Sequence, residues 1–130
     1  MSNTYYETHA EIYRVATTYY KDTGCCAVIA IAITCGVGYG KAYHAMRRAG
    51  RIHGQGSSLF QINAALTELG AEHRFIPMYE GRQMKSMPKL LPEGAYMVFI
   101  KGHVAAIRDG VNVDWTAGRA HRVRQVWKII

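Results

Sequence analysis

The sequence predicts an α+β domain, with helices filling the first half and an antiparallel sheet the second. Three observations carry this. Apolar residues recur at helical spacing as far as Leu69, an apolar run with no polar side succeeds a turn at residues 21–24, and short β-rich segments separated by glycine turns fill residues 95–130. The 130 residues are the size of one ordinary domain, and no repeat, linker or low-complexity tract divides 1–130.

The first helix is expected over residues 4–20, where Tyr5, His9, Ile12 or Tyr13, Ala16 and Tyr19 or Tyr20 share a face. Lys21-Asp22-Thr23-Gly24 breaks it, and Asp22 or Thr23 is placed to cap the next element. That element is the run Cys25-Cys26-Ala27-Val28-Ile29-Ala30-Ile31-Ala32-Ile33-Thr34. Its alternating alanines and the cap before it favour a helix buried on all sides, and a buried strand is the alternative. Residues 39–49 read as a helix with Tyr43 and Met46 on one side and Lys41, Arg47 and Arg48 on the other, stopped by Gly50. Residues 51–58 form a loop, and Ser58 caps a helix over residues 59–69 with Leu59, Ile62, Leu66 and Leu69 in phase. Beyond it, residues 74–78 read as a strand and residues 81–91 hold a helical turn. Residues 95–101, 104–108, 111–115 and 122–130 then read as strands. Asp109-Gly110 between two of these runs is a hairpin signal.

Composition narrows the function. A hydrophobic fraction of 49% is too high for a disordered chain, and no apolar run reaches the roughly 18 residues of a membrane span. The N-terminal residues are polar and lack the basic and apolar regions of a secretory leader, so a cytoplasmic protein is expected. Three cysteines, Cys25, Cys26 and Cys35, do not suit a disulfide framework. No second Cys/His pair has zinc-ligand spacing, so no metal or cofactor is expected, and core packing or thiol chemistry remains. The net charge of +7 gathers in Arg47-Arg48-x-x-Arg51, residues 82–89 and residues 119–128. Such a surface could attract nucleic acid or an acidic partner, but the aromatics are not interleaved with these runs, and a plain solvated face is the readier reading.

Cys26 falls in the first turn of the expected buried helix. Unpaired N–H groups and the helix dipole favour an anion there, which lowers a thiol pKa and offers donors to an oxyanion. Taken alone, a cysteine beside alanines is more often core filler. On the expected hairpin, however, Ala105 pairs with Asp114, which puts His103 and Asp114 diagonally on one face about 7–8 Å apart between backbones. A carboxylate there orients an imidazole, with Asn112 as second choice. A thiol at a helix start, a base on a strand and an acid on the next strand make an activated nucleophile. Among the other histidines, His53 in the loop His53-Gly54-Gln55-Gly56 is placed either to border the cleft or as plain loop. His44 lies in a mixed-charge helix, and His9, His73 and His121 have no evident partner.

These motifs resemble the papain-like cysteine peptidase superfamily, and look most like its small bacterial and phage members near the bacteriocin-processing branch. The resemblance rests on Asp-Thr-Gly-Cys-Cys-Ala-Val-Ile-Ala-Ile-Ala, on Gly102-His103-Val104-Ala105-Ala106-Ile107 and on Asp109-Gly110-Val111-Asn112-Val113-Asp114-Trp115. Tyr39-x-x-Ala42-Tyr43 and Ala49-Gly50-Arg51 also match, so the likeness runs over residues 20–130. It implies a papain-like fold, with a buried central helix packed on a C-terminal antiparallel sheet. It implies Cys26 as nucleophile, chosen over Cys25 by the phase of the small residues after it, His103 as base and Asp114 as the orienting acid. The implied partner is a peptide or protein substrate cleaved at a peptide or isopeptide bond, with no membrane. Many relatives carry a Gln before the nucleophile, where this chain has Tyr20 and its neighbours. That departure, with the basic surface, keeps a second expectation open: a weak or inactive phage or bacterial effector that binds a host protein or nucleic acid.

Overall fold

The computed structural model describes residues 9–112 and 114–130, and within them the architecture is α+β. The described residues open on α1 (His9–Arg14), which widens into a π-helical turn at Val15–Tyr19. There Tyr20 N–H donates to Val15 O at 3.1 Å and the Thr17 hydroxyl donates back to Tyr13 O at 3.0 Å. Crowding by Val15, Thr17 and Thr18, together with that back-bonding, is the local reason the regular ladder gives way. Residues 4–8 of the expected first helix lie outside the described residues.

The apolar run forms α2 (Cys26–Cys35), and every side chain from Ala27 to Thr34 is buried. Alanines at 27, 30 and 32 let neighbouring backbones come close, while Val28, Ile29, Ile31 and Ile33 fill the gaps. Each such aliphatic side chain is worth about 1.5–3 kcal/mol when fully buried. The one polar member, Thr34, is satisfied by donating its hydroxyl to Ala30 O at 2.8 Å. Gly36, left-handed at φ 67°, ends the helix.

Next come α3 (Tyr39–Arg48) and α4 (Leu59–Glu68). The first buries Tyr39, Ala42, Tyr43, Ala45 and Met46 and turns Lys41, Arg47 and Arg48 to solvent. The second starts on a capping box: the Ser58 hydroxyl accepts from Gln61 N–H, and Ser58 N–H donates to the Gln61 side chain. Its buried face is Ile62, Ala65 and Leu66, so the expected in-phase Leu59 stands in solvent at the first helical position instead.

Four strands form one antiparallel sheet in the order β1-β4-β2-β3: β1 (His73–Phe75), β2 (Ala95–Ile100), β3 (His103–Arg108) and β4 (Gln125–Ile129). Between β1 and β2 the chain makes short helical turns at Pro77–Tyr79 and Met84–Ser86 and a single-turn helix, α5 (Met87–Leu90). Alternation divides the sheet residues between two cores. Met97, Phe99, Val104, Ala106, Trp127 and Ile129 face the helices. Tyr96, Val98, Ile100, Ala105, Ile107 and Val126 face the other way, onto Met84, Met87 and Leu91. No helix among the described residues is long and apolar enough to cross a membrane.

One expected strand is absent. Asp109-Gly110 does turn, with both residues at positive φ (50° and 79°), and Arg108 and Val111 exchange bonds of 3.1 and 3.0 Å. The ladder stops at that single pair. Ala105 pairs with Val98 of β2, reached through the two-residue turn at Lys101 and Gly102, and not with Asp114. The described residues of this segment, 111, 112, 114 and 115, therefore do not extend the sheet. The reason is local: Asn112 Oδ1 accepts Asp114 N–H at 2.9 Å, and Asp114 Oδ2 accepts Thr116 N–H at 3.1 Å. Short polar side chains there offer the backbone turns in place of a ladder.

Candidate active site

Cys26 is the first residue of α2, so its thiol lies where N–H groups have no partner within the helix. The expected side-chain cap does not form: Cys25 occupies the cap position without a side-chain bond, and Asp22 is engaged elsewhere. His103 opens β3, directly after Gly102 at φ 71°. Asp114 lies in the turn-rich segment after Val111. That segment folds back so that His103 Nε2–H donates to Asp114 Oδ2 at 2.9 Å, with Oδ1 at 3.1 Å. The expected pair meets, although through a loop and not through the hairpin. With Nε2 on the carboxylate, Nδ1 is the ring nitrogen left to interact with the Cys26 thiol, which lines the same groove.

The electrostatics rest on these contacts. Burial pushes the Cys26 thiol up, but the hydrogen bond from His103, the N–H of Val104, the charge of His103 and the N–H of Ala27 outweigh it, so it titrates below an ordinary cysteine. Burial pulls the His103 imidazole down, but its hydrogen bonds with Asp114 and then Cys26, and the charges of both, hold it at about 9. Burial likewise pushes Asp114 up, and His103 and the Thr116 hydroxyl, at 2.7 Å, bring it below the usual carboxylate range. Cys25 goes the opposite way: burial, then the charge of Asp22, push its thiol up. Burial also pushes Cys35 up. Of the three thiols, the surroundings favour the anion only at Cys26.

Cys26, His103 and Asp114 line one groove of about 820 Å³. Ile29 and Ile33, on the Cys26 face of α2, give it an apolar floor, and Tyr13 and Thr17 form the opposite wall. Trp115 shields the ion pair, its ring 4.8 Å from that of His103. His53 does not line this groove; it bonds the Tyr43 hydroxyl at 2.8 Å and Lys21 O at 3.1 Å, so the loop has a structural role. His44 packs edge-on against Tyr20 and Tyr43, His73 stacks on Trp127, and His121 meets Trp115 edge-on. The His9 side chain lies outside what the structure describes.

Several participants escaped the sequence. Thr116, unnoticed, and Asn112, considered only as a second choice to orient His103, hold the Asp114 turn, and the pattern Asn-x-Asp-x-Thr at residues 112–116 was the available signal. Arg51, expected on the basic surface, is 4% exposed and belongs to the interior. It grips Asp22 Oδ2 and Oδ1 at 2.8 and 3.0 Å, just ahead of the Cys26 segment. Tyr20, at the place of the missing Gln, packs on Tyr39 and Tyr43.

Chemically, a lowered thiol against a raised imidazole favours the thiolate–imidazolium pair, which joins a nucleophile to a proton donor. Compared with protein-family models, curated proteins and solved structures, the chain finds no match, so its own geometry carries what can be said of its function.

Proposed function

We propose that the protein is a papain-like thiol hydrolase that cleaves a peptide or isopeptide bond through Cys26, His103 and Asp114. One observation carries this reading: the His103 ring is held by Asp114 at Nε2 and meets, on its other side, the one thiol of the three that is shifted toward the anion. In the reaction, Cys26 Sγ attacks the carbonyl carbon and the C–S bond forms. His103 Nδ1–H gives its proton to the amine nitrogen as the C–N bond breaks, leaving a thioester on Cys26. Water then attacks the thioester, passing its proton to Nδ1, and the acid leaves as the thiol is restored. Asp114 keeps the ring in the tautomer and orientation both steps need.

The test is acid-quenched incubation with peptide and isopeptide libraries. A covalent acyl adduct on Cys26, and cleavage lost in Cys26→Ala, are expected. A library left intact by wild-type protein with a reactive Cys26 would contradict hydrolysis. A second reading, a protein that binds an acidic host partner or nucleic acid, draws support from the exposed side of the site. There Arg119 lies 5.8 Å over the ring of Trp115, which is 55% exposed.

A further inference from the structure

Among the described residues, the interior holds one ion pair outside the set Cys26, His103 and Asp114. Arg51 and Asp22 have side chains 2% and 0% exposed. A buried pair of this kind adds little over an apolar pair of the same volume, so its importance lies in what it holds. Arg51 holds backbone. Its Nη2 donates to Thr23 O at 3.0 Å and Gly24 O at 3.4 Å, and its Nε donates to Gln55 O at 2.9 Å. Asp22 completes the clamp by accepting Thr23 N–H at 2.9 Å, Gly54 N–H at 2.8 Å and the Tyr39 hydroxyl at 2.6 Å. The segment leading to Cys26 is thus pinned against the loop at 54–56. At Gly24, with φ +60°, a β-carbon would stand a tight 3.1 Å from Gln55 C, so backbone conformation and space both favour glycine.

A trans peptide points its C=O and N–H in opposite directions. With the carbonyl of Thr23 drawn inward to Arg51 at 3.0 Å, the N–H group of Gly24 points outward. Gly24 lines the groove with its neighbours from Asp22 to Cys26, and Arg51 does not. We propose that Arg51 is a positioning residue for acyl transfer, which turns the Gly24 N–H group toward the groove as an oxyanion donor. It takes the part of a side-chain donor, since Tyr20 packs on Tyr39 and Tyr43 and does not line the groove. This rests on the thiol-hydrolase reading.

Two probes separate the roles. Iodoacetamide alkylates a thiolate without forming an oxyanion. p-Nitrophenyl acetate forms a C–S bond to its acetyl carbon through an oxyanion and then expels p-nitrophenolate. Arg51→Lys keeps the charge but loses the fork that grips two carbonyls. Its Cys26 alkylation rate should stay within about twofold of wild type, while the p-nitrophenolate burst rate should fall about 100-fold, the scale of one lost oxyanion donor. Equal loss of both rates, or loss of neither, overturns the proposal, as does a wild-type Cys26 that alkylates fast yet gives no burst. A wild-type Cys26 that alkylates no faster than Cys25 and Cys35 instead defeats the hydrolase reading, and this proposal with it. If Arg51→Lys does not fold, wild-type protein decides by NMR with acetaldehyde, which forms a hemithioacetal on the thiol. The Gly24 amide proton should move downfield, and its standing still overturns the proposal.

Discussion

Replacing Arg51 by Met tests the buried clamp as a unit. Asp22 accepts Arg51 Nη1 and Nη2 at 2.8 and 3.0 Å, the Tyr39 hydroxyl at 2.6 Å, and the N–H groups of Gly54 and Thr23 at 2.8 and 2.9 Å. Burial pushes this carboxyl up, and those bonds, that from Arg51 first, hold it at about 2. Arg51→Met leaves the carboxylate buried without its counter-charge and takes the donor from three backbone carbonyls, a loss of about 3–5 kcal/mol. At about 4 °C per kcal/mol for a domain of this size, Tm should fall by about 10–20 °C. The lowered pKa sets the sign with pH. The stability Asp22 contributes is present above its ordinary value of 3.8 and is lost as pH falls toward about 2, a swing of about 2.5 kcal/mol. The deficit of Arg51→Met should therefore shrink as pH is lowered through that window. Urea denaturation at about pH 7 and about pH 3 measures both, and the double variant Asp22→Leu/Arg51→Met should show a coupling of about 2 kcal/mol or more. A single-variant loss under about 1 kcal/mol, with no coupling, would refute the reasoning.

Other consequences are more local. His103, held at about 9 against an ordinary 6.5, contributes stability that is complete below about 6.5 and lost as pH rises through about 9, an effect of about 3 kcal/mol. The urea midpoint of wild type should fall across that range more steeply than that of His103→Gln. Ser58→Ala removes the hydroxyl that accepts Gln61 N–H and should cost about 1 kcal/mol in the same denaturation assay. Cys25→Ala should keep the fast phase of iodoacetamide labelling and Cys26→Ala should remove it, because their surroundings push the two thiols in opposite directions; mass spectrometry of labelled peptides reads the result.

How much of this was legible in the sequence depends on whether the deciding contacts are near or far along the chain. The alanines and the turn before Cys26 favour the helix over the buried strand that the run to Thr34 also allows, and Ser58 signals a cap, because both signals lie within one turn of the structure they create. The sequence pairs Asp114 with His103 by the wrong route. Residues 111–115 alternate like a strand, yet the side chains of Asn112 and Asp114 bond the backbone two residues ahead, and those short bonds defeat the ladder. The pairing survives because a tight turn at Asp109 and Gly110 returns the chain toward the start of β3 by either path. Arg51 reads with Arg47 and Arg48 as surface charge. Gly50, at φ 107°, ends the helical phase before it, and its partner Asp22 is 29 residues away, so no local pattern announces the clamp.

The pH dependence of Cys26 alkylation by iodoacetamide, in wild type and His103→Ala, tests the central claim most directly. Burial alone pushes the thiol up, and His103 is the largest influence bringing it down. The midpoint of the alkylation curve should therefore lie below that of an ordinary cysteine in wild type and move upward in His103→Ala. A curve that does not move when His103 is removed would show that the two residues do not act together, and the thiol-hydrolase account would fail even with the fold intact.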